Sequence, residues 1–381
     1  MTVTVLVILA VFFPLVLLLA KEQVTLIKTV SPLILCYAGG LLIGNAGILN
    51  DASLSVMDSV STATVALSIP LMLFTVDIRA WRTYAGRTGV AFGLAALSVV
   101  IVAAVSRFLF SADIPQNWKL SGMLIGLYTG GTPNLAAIKT ALHVDQNVYL
   151  ATHASDLVMS AIYLLFVLTA ARPLLARVLP VAAVYSSAAA SAVEGEPPFT
   201  RVFTRGVRGP LSLALLVAVA IVGVGVGLSM LVGGEWATMV AILSISTLGI
   251  AASFSTSVRR IPMTFSLGEY FIYIFCFSVG TMGNLAAIAG SATVIFTFVT
   301  VTLTASFLLH LLLCRLFRVD RDAMMVASTA AVCSPPFVGM VAISLKNRDL
   351  IGPGITVGIL GYAVGNYLGI AVAELLRYVG S

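Results

Sequence analysis

One stretch constrains this 381-residue chain more than any other. Residues Gly126–Leu142 read GLYTGGTPNLAAIKTAL, within a run otherwise apolar enough to cross a bilayer. Glycine and proline are poor helix formers, and proline lacks a backbone donor. In hydrocarbon the freed carbonyls would find no water. A chain that places Gly130, Gly131, Thr132, Pro133 and Asn134 at mid-segment therefore either leaves the membrane there or uses the break.

Composition favours the second alternative. The chain is 60% hydrophobic and 9% charged, with a net charge of +6. Ordinary soluble domains carry about 25% charged residues. The chain reads as an all-α, polytopic membrane protein, and its basic excess reads as loop charge rather than affinity for nucleic acid. Cys36, Cys276, Cys314 and Cys333 lie in or beside apolar runs without metal-ligand spacing, and His143, His153 and His310 are scattered. No metal site or cofactor is expected, apart from Na⁺ in the role of a coupling ion.

About twelve segments are long and apolar enough to span. They lie near 3–20, 31–49, 59–77, 89–110, 120–142 and 149–171, then near 210–232, 236–254, 267–289, 292–317, 324–345 and 351–376. Three regions follow: a first membrane repeat (1–172), a linker (173–208) and a second membrane repeat (209–381). The halves echo each other. CSPPFVGMVAISL, from Cys333, faces GGTPNLAAIKTAL, and both set a hydroxyl residue before a proline at a break. Paired interrupted segments in two halves point to a transporter binding site.

Loop charge gives orientation. Arg259 and Arg260, then Arg315, Arg318 and Arg321, and finally Arg377 mark alternate loops as cytoplasmic, the C-terminus included. In the first half Lys21, Lys28, Arg79, Arg82 and Arg87 favour the loops after the first and third segments. That pattern is inverted between the halves, yet six spans per half would give both the same orientation. A thirteenth crossing within Val178–Val193 would remove the conflict; a misleading loop charge is the alternative.

A mid-membrane break exposes amides suited to an anion and carbonyls suited to a cation. The candidate substrate-binding set is Thr129, Gly130, Gly131, Thr132, Pro133, Asn134, Asn284, Cys333, Ser334, Pro335 and Pro336. Asp156 and Lys139, with Thr132 and Asn134, are the candidates for ion coupling. Asp156 carries an ion or is an interfacial carboxylate. Lys139 neutralises Asp156, replaces a coupling cation, or snorkels to the surface. Asn284 contacts substrate or stitches helices.

The strings WKLSGMLIGLYTGGTPNLAAI (Trp118–Ile138), ASDLVMSAIYL (Ala154–Leu164) and GPGITVGILGYAVGNYLGIAVAELL (Gly352–Leu376) resemble the YjcL-like membrane proteins of bacteria and plastids. That family looks like part of the cation:proton antiporter and anion symporter superfamily, with the sodium/glutamate and bile-acid symporters. The resemblance implies two inverted repeats, each with a broken crossover helix, a mobile core, and a panel domain that can form a homodimer. It carries the first break onto Gly130–Asn134, the following acidic position onto Asp156 and the second break onto Cys333–Pro336. CSPPFV departs from the Gly-rich run expected at the second break, so substrate and coupling ion are not carried over.

The reading is a secondary active transporter of a small anionic organic solute, driven by Na⁺ or H⁺, in a bacterial inner membrane. The alternative is a monovalent cation/proton antiporter without an organic substrate. No nucleophile–base pair or HExxH motif supports an enzyme. Lipid and a small solute or ion are the expected partners.

Overall fold

The computed structural model describes residues 2–21, 32–77, 86–111, 114–180 and 198–379, and these contain helices and no strand. In the first half the helices are α1 (Val3–Ala20), α2 (Pro32–Gly44), α3 (Asp51–Leu73), α4 (Gly86–Leu109), α5 (Asn117–Ala141) and α6 (Gln146–Phe166). In the second they are α7 (Arg205–Val232), α8 (Ala237–Ser253), α9 (Thr264–Met282), α10 (Leu285–Leu316), α11 (Arg321–Val332), α12 (Val338–Ser344) and α13 (Ile351–Val379). Among the described residues eight helices are long and apolar enough to cross a membrane, and α2 and α8 are shorter apolar helices. Most of the suggested thirteenth crossing, from residue 181 on, lies outside the described residues.

The chain folds as two compact units, and each draws on both sides of the linker. One comprises residues 1–75, 139–151 and 197–293. Its helices approach through small residues, the packing mode that suits lipid, where apolar burial gives no net drive. A Cβ on Gly44 would strike the carbonyl of Thr281, and one on Gly280 would lie 2.7 Å from the Tyr37 carbonyl. These contacts press α2 on α9. Tyr37 and Tyr149 join their hydroxyls at 2.7 Å in the same interior.

The other unit comprises residues 76–138, 152–196 and 294–381. Here α4 and α10 run antiparallel. The His310 ring meets the Ala91 carbonyl at 2.9 Å near one end, and Thr302 donates to Ser106 at 3.1 Å near the other. α4 also leads into α5, whose Asn117 and Ser121 donate back to the carbonyls of Arg107 (2.6 Å) and Ala103 (2.9 Å).

Two segments read as spans do not run through. In a continuous helix Gly126 and Ile138 would stand about 18 Å apart, but a Cβ on Gly126 would collide with the Ile138 side chain. The chain reverses at Gly131, which sits at φ 72° and ψ −169°. The eleventh segment does the same. Asn347 donates to Asp322 at 3.3 Å, where a straight helix would separate them by about 37 Å. Val326 and Val338 both press on Gly354. The expected broken crossover helices are thus two fold-back hairpins, α5 on itself and α11 on α12. Hydropathy registers apolar length and is blind to a reversal of direction.

Candidate functional site: two hairpin tips beside a buried carboxylate

Each tip turns on one positive-φ residue. Gly131 takes that conformation without a Cβ penalty. At the second tip it falls to Ser334, at φ 77° and ψ 162°, an extended positive-φ conformation that a side chain makes unfavourable by about 1–3 kcal/mol. Cys333 ends α11 with its amide on the Thr329 carbonyl at 2.8 Å. Pro335 then opens the short 3₁₀ turn that leads into α12.

The tips touch. A Cβ on Gly131 would lie 2.6 Å from Ser334 Oγ and 3.5 Å from the Tyr362 ring. The structure therefore brings Gly130–Asn134 together with Cys333–Pro335, residues some two hundred positions apart in sequence.

α13 holds both hairpins. Its glycines 354, 358, 361, 365 and 369 recur at spacings of three and four, which puts them on one face. Gly369 packs on the first hairpin, where a Cβ would lie 2.6 Å from the Gly122 carbonyl. Further along, a Cβ on Gly361 would collide with the Thr129 carbonyl, and one on Gly365 with the Asn134 side chain. Asn134 donates to the Gly361 carbonyl at 3.2 Å. Beyond that the contacts pass to the second hairpin: a Cβ on Gly358 would lie 2.7 Å from Pro335. Sequence reasoning missed this stripe; its signal was the glycine spacing in GPGITVGILGYAVGNYLG.

Asp156 sits in the same unit and is 5% exposed. Ser160 donates to its carboxylate at 2.9 Å. The Tyr128 hydroxyl, three residues before Gly131, faces that carboxylate without completing a hydrogen bond. Cys333 Sγ meets the Ser160 carbonyl at 3.9 Å, which ties the second tip to the same helix turn. Tyr163, one turn further, donates to Ser328 on α11.

The remaining candidates have other surroundings. Thr129 directs its hydroxyl to Ile125 at 2.7 Å, within its own helix. Thr132 and Pro133 are half-buried. Lys139 is buried and belongs to the other unit, where Asp58 and Asp145 are the acidic groups that act on it. Asn284, also in that unit and exposed, caps α10: its side chain accepts from the Ala286 amide at 2.9 Å.

Comparison with known proteins agrees with the membrane reading. The chain is 28% identical over 355 residues to the "Uncharacterized membrane protein YjcL" of Bacillus subtilis (strain 168), a match that covers 90% of this chain and 89% of that protein. A family model matches residues 7–379, nearly the whole chain. This is a polytopic helical membrane protein, and it belongs to the DUF819 family, described as proteins of unknown function.

Proposed function

We propose that the chain is a secondary active transporter that binds a small anionic organic solute at the two touching hairpin tips. The contact between Gly131 and Ser334 carries this reading. At each tip one helical arm ends and another begins, so free carbonyls and free amides gather with few formal charges. The amides that open the returning arm at Thr132 suit a carboxylate. Asp156, beside the tips, is the coupling group for Na⁺ or H⁺. Alternating access exposes the tips first to one side of the membrane and then to the other.

The hairpins also support an inverted repeat without a thirteenth crossing. Among the described residues, eight long helices plus α2 and α8 make ten crossings, five in each half. Five is odd, so the second half starts inverted. With Lys21 and Lys28 inside, the loops with Arg79, Arg82 and Arg87, with Arg172 and Arg201, with Arg259 and Arg260, and with Arg315 and Arg318 all fall inside as well. Lys346 and Arg348, after the second hairpin, fall inside too. The same count puts the end of α13 outside, in place of the cytoplasmic C-terminus that loop charge alone suggests. The Arg377 guanidinium lies 5.6 Å from the Trp118 ring at the start of the first hairpin, which this arrangement also puts outside.

Purified protein in proteoliposomes tests the function. A thermal-shift screen of small carboxylates, amino acids and sugar acids, with and without Na⁺, selects a solute. Its uptake should then follow an imposed Na⁺ or pH gradient and lose that dependence in Asp156→Asn. Gradient-driven uptake that Asp156→Asn leaves intact removes Asp156 from coupling. Na⁺- or K⁺-driven proton movement with no organic solute would favour the antiporter reading instead.

A further inference from the structure

A cavity of about 20 Å³ lies within the hairpin-bearing unit, between α4, α5, α10 and α11. Its polar wall consists of Tyr128, Ser306, His310 and Ser328, and Val99 and Phe307 belong to its apolar wall. Such a volume admits a water molecule, which needs two to four polar partners. The hydroxyls of Tyr128 and Ser306 are buried and make no hydrogen bond within the protein. Two orphaned hydroxyls at one buried cavity are costly unless something fills it.

His310 gives the cavity a direction. Its Nε2 lies 2.9 Å from the Ala91 carbonyl. A carbonyl only accepts, so Nε2 carries the hydrogen and the neutral ring keeps Nδ1 as an acceptor. Tyr128, which also lines the cavity, faces Asp156. The other titratable groups near this line are Tyr163, whose proton is given to Ser328, and Cys333, which is directed at the Ser160 carbonyl.

We propose that this cavity holds water and relays protons between Asp156 and His310. The proposal rests on Asp156 as the coupling residue and specifies H⁺ as the ion. A proton leaves the Asp156 carboxyl for the Tyr128 oxygen as Tyr128 passes its own proton to the water. The water passes one of its protons to His310 Nδ1. Asp156 ends as carboxylate, the ring as imidazolium, and both carriers are unchanged. Ser306 and Ser328 orient the water.

The test follows the exchange of the Asp156 carboxyl proton for deuterium, by infrared spectroscopy of the full chain in detergent. The band is identified as the one that Asp156→Asn removes. Wild type should exchange fast, and Tyr128→Phe and His310→Gln should each slow exchange at least tenfold. Ser306→Ala should slow it a few-fold. Wild-type exchange rates in folded Tyr128→Phe and His310→Gln would overturn the relay, as would the absence of an Asp156 carboxyl band at any pH. The readout needs no solute. An intact relay with no solute flux would count against the transport reading alone, and intact gradient-driven flux with unchanged exchange rates against the relay alone.

Discussion

The two hairpins reverse the chain by different means. The first is set locally: Gly131 takes the positive-φ turn freely, and Gly130 next to it leaves room for the Asn134 side chain. The second is set by its surroundings. Ser334 holds an unfavourable φ, and Pro335 packs on Gly358. A buried latch closes the base, where Asp322 holds Arg321 at 2.8 Å and accepts from Asn347. A strained turn persists when the structure around it over-determines the conformation. Both tips pack on α13, but the turn of the first is unstrained, whereas the strained turn of the second also leans on the Asp322 latch.

Four variants break or sharpen that contrast. Asp322→Ala leaves the buried Arg321 unpaired and frees Asn347, and should lower stability by about 3 kcal/mol. Denaturant unfolding of purified protein reads this, and an unchanged midpoint would mean that the latch does not hold the second hairpin. Gly361→Ala drives a methyl into the Thr129 carbonyl under the first tip, with an expected loss of about 3 kcal/mol or of folded yield. Gly131→Ala puts an alanine at an extended positive-φ position, unfavourable by about 1–3 kcal/mol, in close contact with Ser334. It should reduce solute uptake more than it reduces melting temperature. Ser334→Gly relieves backbone strain of about 1–3 kcal/mol but loosens the unfolded chain by about 0.5–1 kcal/mol, so the net gain should be no more than about 2 kcal/mol. A clear destabilisation by Ser334→Gly would show that the hydroxyl, rather than the backbone, holds the tip.

The fold-back itself has a separate check. The double variant Asp322→Cys, Asn347→Cys in a chain without its native cysteines should form a disulfide on mild oxidation. A C-terminal reporter should respond to impermeant reagents from outside the cell. No disulfide, together with a protected reporter, would return the eleventh segment to a straight span.

Membrane class and the long apolar helices were legible because hydrocarbon demands long apolar runs. The interruptions were legible because Gly-Gly-Thr-Pro-Asn and Cys-Ser-Pro-Pro are poor helix. The inverted charge pattern was visible too, but its conflict with a count of six could not be resolved, because a reversal and a crossing have the same hydropathy. Asn284 illustrates the converse limit: the sequence left it open between contacting solute and stitching helices, and the structure adds that it caps α10, which no local pattern announced.

How much of the chain is apolar, and where the helix must fail, can be read from the residues alone, since both follow from side-chain transfer energy and backbone donors. That the failures are reversals, and that their tips touch, is a matter of long-range packing. It likewise set which face of α13 grips them, and that Tyr128 and Ser306 share a cavity with His310. Those depend on contacts between residues tens to hundreds of positions apart, and local chemistry does not encode them.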